Sequence, residues 1–357
     1  MNRQIKPEIM EAFERFFDKS WYILGQEVKA FEAAYAAFNK TGYAVGVSNG
    51  LDALHIALRT LQIGPGDEVI VPSNTYIATL LAVSYVGATP VPAEPDLHTY
   101  NLSPAAVAAA ITAKTKAIIP VHLYGQACNM TELMQLAQQH NLYVIEDNAQ
   151  AHGASWNGQL TGSWGSVNAT SFYPGKNLGA LGDAGAITTN SEEWAQKAAV
   201  LRNYGSQKKY YNEEIGYNMR LDECQAAFLS VKLKYISEWT AQRRQIAAWY
   251  NEALQGVGDL ILPYVHEKAT HSYHLYVIRS QKRNLLQEHL TKQGIGTLIH
   301  YPVPPHLQEA YQNLGYKNGD FPVAEELADT SLSLPLWPGM THAEVIHAAD
   351  VIKSFFA

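Results

Sequence analysis

Two side chains in this sequence, Asp147 and Lys176, combine residue type and setting in a way that points to chemistry. Lys176 lies in SFYPGKNLGALGDAGAITTN, Ser171 to Asn190, among small, aromatic and apolar residues, with no charged neighbour in that segment until Asp183. Lysines ordinarily occupy solvated faces. One set among apolar neighbours is partly desolvated, which lowers its pKa and frees the amine to attack a carbonyl. Asp147 closes LYVIED, an apolar run ending in Glu146 and Asp147, and open α/β sheets gather ligands at the carboxyl ends of their strands. Alone, such an acid usually caps the next segment and such a lysine usually sits on an exposed loop; their company changes the reading.

Together they match what pyridoxal phosphate requires: a lysine amine for covalent attachment and a carboxylate that keeps the ring nitrogen protonated. The same lysine, once displaced by a substrate amine, can carry the substrate's Cα proton as base and acid. The phosphate needs an anion site, and Asn49 with Gly50 stands between a strand and the helix LDALHIAL, whose first N–H groups and dipole favour negative charge. Ser171 can add a hydroxyl. An Asn-Gly pair is otherwise simply a common turn.

The surrounding elements place these residues. From residue 43 to about 190 short apolar runs (YAVGVSNG, EVIVP, TPVPAEPD, KAIIPVHLYG, LYVIED) alternate with helical patterns such as LDALHIALRTL. Strand, helix and strand in that order need crossovers, hence an α/β protein on a largely parallel sheet. Residues 191 to about 255 read as mostly helical, ending in one long pattern through KLKYISEWTAQRRQIAAWYNEAL. YHLYVIR, a helix near 284–293, GTLIHYPV and a last helix near 342–355 read as a smaller α/β unit. The expected division is a large cofactor-binding domain, 1–235, and a small domain, 236–357, with the N-terminal helix free to pack on the small one.

Composition narrows the classes. The 357 residues are 47% hydrophobic and 17% charged with a net charge of −7, an ordinary globular balance with no basic excess for nucleic acid. No apolar run reaches membrane-spanning length and the N-terminus lacks a signal-peptide stretch. Cys128 and Cys224 are too few for a disulfide framework or a Cys-rich zinc site, so a cytoplasmic protein without metal is expected. His266, His271 and His274 lack the carboxylate or Cys pattern of a metal site, and packing is the expectation for them.

VSNGLDAL, VPSNTYIATLLAV, PVHLYGQ, VIEDNAQAHGA, SFYPGKNLGALGDAGAITTN, LRNYGS and GYNMRLDECQAA resemble the DegT/DnrJ/EryC1/StrS family of sugar aminotransferases, over nearly the whole chain. AQAHGA with SFYPGKNLGALGDAGA is similar to the branch that aminates C-3 of nucleotide-linked 3-keto-6-deoxyhexoses. The resemblance implies a fold-type I, aspartate-aminotransferase-like dimer with active sites shared between subunits. It implies amino transfer from L-glutamate to a dTDP-linked keto sugar for glycan (lipopolysaccharide O-antigen) or antibiotic biosynthesis, with C-4 amination as the alternative. It further implies that Lys176 carries the cofactor, Asp147 pairs with the ring nitrogen, Gln150 lies near the ring oxygen and Tyr76 stacks on the ring. Gly50, Leu51 and Ser171 would hold the phosphate, with Asn218 reaching it from the partner subunit; Leu51 departs from the small polar residue frequent at its position and offers only its N–H. Tyr124, Tyr173, His300 and Tyr301 would face the sugar.

Rival readings are weaker. Gly46-Val47-Ser48-Asn49-Gly50 matches a serine-hydrolase elbow, but only one short strand precedes Ser48 and no HGGG-like segment exists. G-x-G-x-x-G is absent, and PGKN lacks the remainder of a P-loop. Sugar dehydratases resembling this family carry a histidine in place of the lysine, so Lys176 favours transamination. A non-enzymatic regulator is at odds with the presence of Asp147, Gln150 and Lys176 together.

Overall fold

The computed structural model describes residues 3–357. Helices α1 (Lys6–Lys19) and α2 (Gln26–Asn39) precede strand β1 (Tyr43–Val47). Then α3 (Gly50–Thr60), β2 (Glu68–Pro72), α4 (Ala78–Tyr85), β3 (Thr89–Ala93), α5 (Pro104–Ala110), β4 (Thr115–Ile118), α6 (Met130–His140) and β5 (Tyr143–Val144) keep the strand–helix rhythm. A two-residue hairpin, β6 (Ser155–Trp156) and β7 (Gln159–Leu160), leads to β8 (Asn168–Ser171), β9 (Gly185–Thr189) and α7 (Glu192–Leu201). Helices α8 (Glu223–Leu233) and α9 (Ile236–Leu254) follow, then β10 (Tyr276–Arg279), α10 (Arg283–Lys292), α11 (Pro322–Thr330), β11 (Ser331–Leu334) and α12 (His342–Phe356).

The main sheet is mixed. β3, β2, β4 and β5 pair in parallel, with Ile70 opposite both Val91 and Ile118. β1, β9 and β8 pair antiparallel. Asp147 joins the two halves, bridging in parallel to Val121 on one side and Ala169 on the other. The order β3-β2-β4-β5-β8-β9-β1 therefore runs in one direction except for β9. Helices α3, α4 and α7 cover one face with Ala53, Leu54, Ile56, Leu80 and Leu201. On the other, α5 and α6 bury Val107, Met130 and Leu133 against Ile70, Ile118 and Val144. With both faces covered, the parallel strands read as continuous apolar runs.

One detail departs from the sequence expectation. The long helical pattern that begins at Lys232 is interrupted at Lys234–Tyr235, between α8 and α9; the Trp239 end of α9 stays with α8, and its later turns, from Ile246, serve a distal core. The N-terminal helix spans both sides of that break: Ile5, Ile9, Ala12 and Phe16 bury against Ala227, Phe228 and Val231 of α8 and Trp239 at the start of α9. That distal core is made from α9, α10, α12 and the β10–β11 pair, centred on Tyr250, Tyr276, Leu286 and Ile352.

Acidic side chains tie distant elements together. The Glu94 carboxylate, just beyond β3, accepts the Val323 and Ala324 N–H groups (2.8 and 3.1 Å) at the start of α11 and the Ser73 hydroxyl (3.0 Å). Helix α2 has no capping side chain of its own. Instead Glu223, only 2% exposed, accepts the N–H groups of Gly25, Glu27 and Val28 at 2.7, 3.0 and 2.9 Å, meeting both the orphan donors and the dipole of that helix. Glu223→Ala strands these donors and is expected to lower unfolding free energy by about 3 kcal/mol, measured as a shift of the urea midpoint.

Candidate active site

Successive residues of an extended chain face opposite sides, and this separates the two acids that end β5. The Glu146 carboxylate, fully buried, takes the N–H groups of Gly162 (2.7 Å), Trp164 (2.6 Å) and Gly165 (2.9 Å) and lies 2.8 Å from His122 Nε2. Cys128 N–H donates to His122 Nδ1 at 3.0 Å, so Nε2 carries the hydrogen and donates to Glu146. Glu146 is thus the structural acid. Asp147 turns the other way, 7% exposed, with Oδ1 accepting Ala149 N–H and Oδ2 accepting the Thr79 hydroxyl, each at 3.1 Å. Burial raises its carboxyl above the usual range; the Ala149 N–H, the Lys176 charge, the Thr79 hydroxyl and His122 pull the other way. It is a carboxylate with too few donors, a fitting partner for a cationic N–H.

Lys176 sits in the loop from β8 to β9. Lys176 N–H donates to the Tyr173 carbonyl (2.8 Å), Ala180 N–H to that of Phe172 (2.7 Å), and Asn177 Nδ2 to that of Ser272 (2.9 Å). Burial pushes the Lys176 ammonium below the ordinary lysine value, with Asp147 opposing. The low-pKa lysine expected from its neighbours is present, with the acid near enough to act on it. Around it stand three imidazoles, His152, His274 and His300, each held neutral by burial and then by the charge of Lys176. His152 falls to about 3, with Arg243 adding to the effect.

The anion cradle is formed where α3 meets β8. A Cβ on Gly50 would lie 2.6 Å from Ser171 Cβ, so only glycine fits. Asn49 caps α3 by accepting Asp52 N–H at 2.9 Å, and the N–H groups of Gly50 and Leu51 find no acceptor among the described residues. The Leu51 side chain packs against the first core, leaving only its N–H for a ligand. The structure brings four other expected residues together: Gln150 Nε2 donates to the Tyr301 hydroxyl (3.1 Å), Gln150 Oε1 accepts Tyr124 N–H (2.7 Å), and the Tyr124 hydroxyl donates to the His300 carbonyl. The Tyr76 ring, half exposed, lies 5.2 Å from that of Tyr301. Tyr173 is exposed at the loop tip, and Asn218 is exposed, bridged in backbone register to Asn203.

Sequence reasoning missed Thr79, His152 and Arg243. His266 packs tilted against Trp156 (ring centroids 4.7 Å apart) and His271 stacks on Tyr273 (4.0 Å). His274 instead has a buried Nδ1 without a partner and feels Lys176. His152, two residues after Gln150, was the one with a usable signal. Among the described residues no cluster of three or more His, Cys, Asp or Glu could hold a metal, and no helix is long and apolar enough to cross a membrane. Ser48, the elbow serine, gives its hydroxyl to Asp52, which also receives Asn49 Nδ2 at 2.8 Å; among the described residues no imidazole is hydrogen-bonded to it.

A desolvated lysine, an underdonated carboxylate and a glycine cradle with two free N–H groups and a serine fit the aldehyde, ring nitrogen and phosphate of pyridoxal phosphate.

The model of the DegT/DnrJ/EryC1/StrS aminotransferase family matches residues 3–353. A dTDP-3-amino-3,6-dideoxy-alpha-D-galactopyranose transaminase of Aneurinibacillus thermoaerophilus is 49% identical over 99% of this chain and 97% of its own. A "pleiotropic regulatory protein" of Geobacillus stearothermophilus is 47% identical over 99% of this chain and 95% of its own. The crystal structure of Streptomyces venezuelae DesV superposes with a TM-score of 0.98 at 46% identity, covering 99% of this chain and 95% of that one.

Neutral buried histidines make stability pH-dependent. His152 and His271, both near 3, and His274, also depressed, refuse protons that the unfolded chain accepts below about 6.5. Their contribution is whole above that pH and is lost as pH falls toward 3. Asp147, with its raised value, acts in the opposite sense but is a single group. Urea unfolding free energy is expected to drop by about 3 kcal/mol between pH 6 and 5, and His271→Gln to remove about 1 kcal/mol of that drop.

Proposed function

Because the chain belongs to the DegT/DnrJ/EryC1/StrS aminotransferase family, a family of pyridoxal-phosphate enzymes, we propose that it moves an amino group from L-glutamate to a dTDP-linked 3-keto-6-deoxyhexose. The product is a 3-amino-3,6-dideoxyhexose for a surface glycan such as an O-antigen, or for an antibiotic. The observation that carries this reading is the pairing of Asp147 and Lys176, two opposite charges both weakened by burial, beside the Gly50–Ser171 cradle. The name of the Aneurinibacillus relative supports C-3 as the site of amination and dTDP as the carrier.

When bound, the cofactor supplies an electron-withdrawing ring that accepts the electron pair left as the substrate's Cα–H bond breaks. Asp147 keeps a proton on the ring nitrogen, and its burial strengthens that pairing. The N–H groups of Gly50 and Leu51, the Ser171 hydroxyl and the α3 dipole hold the phosphate, with Asn218 of the partner subunit as a further donor. Lys176 would tether the cofactor and, when displaced by a substrate amine, would be placed to take a proton at Nζ and to return it. Burial lowers its pKa, which raises its share of neutral amine above that of an exposed lysine. His152, His274 and His300, being neutral, add no positive charge that would disfavour protonated Lys176. Tyr76 supports the ring face, Gln150 the edge bearing the ring oxygen, and Tyr124, Tyr173, His300 and Tyr301 line the sugar side.

The shared site makes the working unit a homodimer. Support comes from the exposed apolar residues around Asn218: Tyr204, Tyr210, Tyr211 and Ile215 are 49%, 85%, 62% and 84% exposed in the single chain, more than one surface segment usually leaves to water. The dimer is cytoplasmic, each subunit comprising a cofactor-binding domain, 1–235, and a small domain, 236–357.

Incubation with glutamate and a panel of dTDP-linked 3-keto and 4-keto hexoses, read by mass and NMR, is expected to yield a 3-amino sugar; amination only at C-4 would move the assignment to the sister reaction. The wild-type protein is expected to be yellow and bleached by borohydride, and Lys176→Ala to lack the covalent label. Asp147→Asn is expected to retain cofactor while turnover falls by roughly three powers of ten; near-normal turnover would reject the proposed role.

A further inference from the structure

Lys232, near the C-terminal end of α8, is 1% exposed and is one of the largest fully buried side chains. Its ammonium donates at 2.6 Å to the carbonyl of Gly179, three residues beyond Lys176. No carboxylate lies within ion-pair distance of it among the described residues, and burial alone lowers it to about 8. Burying a cation with one neutral partner is costly, and a hydrocarbon of similar volume is often the more stable choice. Stability therefore does not explain why a lysine stands here.

What the contact does explain is the geometry of the loop. Gln225, Leu229 and Lys232 follow one another four and three residues apart, on one face of α8, and the loop rides on that face. Gln225 Oε1 accepts Leu181 N–H at 2.8 Å. Leu229 packs with Phe172, Leu178 and Ala180. Lys232 reaches the carbonyl of Gly179, where any Cβ would run into the Pro174 carbonyl. The Phe172–Ala180 closure and the Lys176–Tyr173 turn fix the loop's shape, and Lys232 fixes where that shape sits relative to α8.

We propose that Lys232 is a positioning residue for Lys176: by holding the Gly179 carbonyl against α8 it sets where the Lys176 amine stands relative to Asp147. It touches neither substrate nor cofactor. The inference rests on the aminotransferase reading only for its kinetic readout.

The test compares wild-type enzyme with Lys232→Met, which keeps the volume and removes the donor, and Lys232→Gln, whose amide nitrogen falls one atom short of the carbonyl. Three quantities are read: hydrogen exchange of the 172–182 segment by mass spectrometry, urea midpoint, and kcat and KM for glutamate. In Lys232→Met, exchange at the Ala180 and Lys176 amides is expected to rise about tenfold and kcat to fall about tenfold to a hundredfold, while KM for glutamate stays within about twofold and the urea midpoint is unchanged or raised. Lys232→Gln is expected to show the same changes in smaller measure, and carries the test alone should Lys232→Met fail to fold. Wild-type kcat in the variants overturns the proposal, as does a loss of kcat without faster loop exchange. Wild-type enzyme inactive toward glutamate would reject the functional assignment instead, with the exchange comparison still deciding the role of Lys232.

Discussion

The site depends on withholding water from two opposite charges at once. In water a carboxylate and an ammonium would each be fully ionised and nearly indifferent to one another; buried, the Asp147 carboxyl rises and the Lys176 ammonium falls. Each is left wanting a partner that the fold does not supply. That shared deficit is what a cationic ring nitrogen and an aldehyde satisfy together, so affinity for the cofactor and readiness for chemistry have one physical origin.

The sheet creates this condition. Asp147 is the residue at which the parallel half of the sheet meets the β8–β9–β1 half, bridged on both sides, and its backbone has no freedom to let the carboxylate drift toward solvent. Glu146 secures the same point from the other side, its three N–H donors and His122 fastening the 162–165 loop beneath the strand end. One acid is satisfied so that its neighbour can be left unsatisfied in a fixed place.

Much of this was legible in the linear sequence because the relevant signals are local. An uncharged stretch around a lysine, an apolar run ending in an acid and a glycine opening a helix each describe their own surroundings, and Lys176, Asp147 and Gly50 follow from them. The direction of a strand was not legible, since an apolar run looks the same either way and β9 alone runs against the sheet. Contacts across long separations left no trace: Glu223 meets Gly25 across 198 positions and Glu94 meets Val323 across 229. His274 was hidden for a related reason, because it opens an apolar stretch, and only folding brings Lys176 near it. The α8–α9 break was invisible because both helices share one continuous periodic pattern.

Glu94 has a further consequence. Its carboxylate grips the first turn of α11, which adjoins the β10–β11 pair, while also holding Ser73 beyond β2. Swinging the distal core outward would strip a charged acceptor of two N–H donors, a penalty of about 3 kcal/mol, which leaves such an opened form a minor population. One side chain thus rivets the helix that leads into β11 to the strand ends of the main sheet.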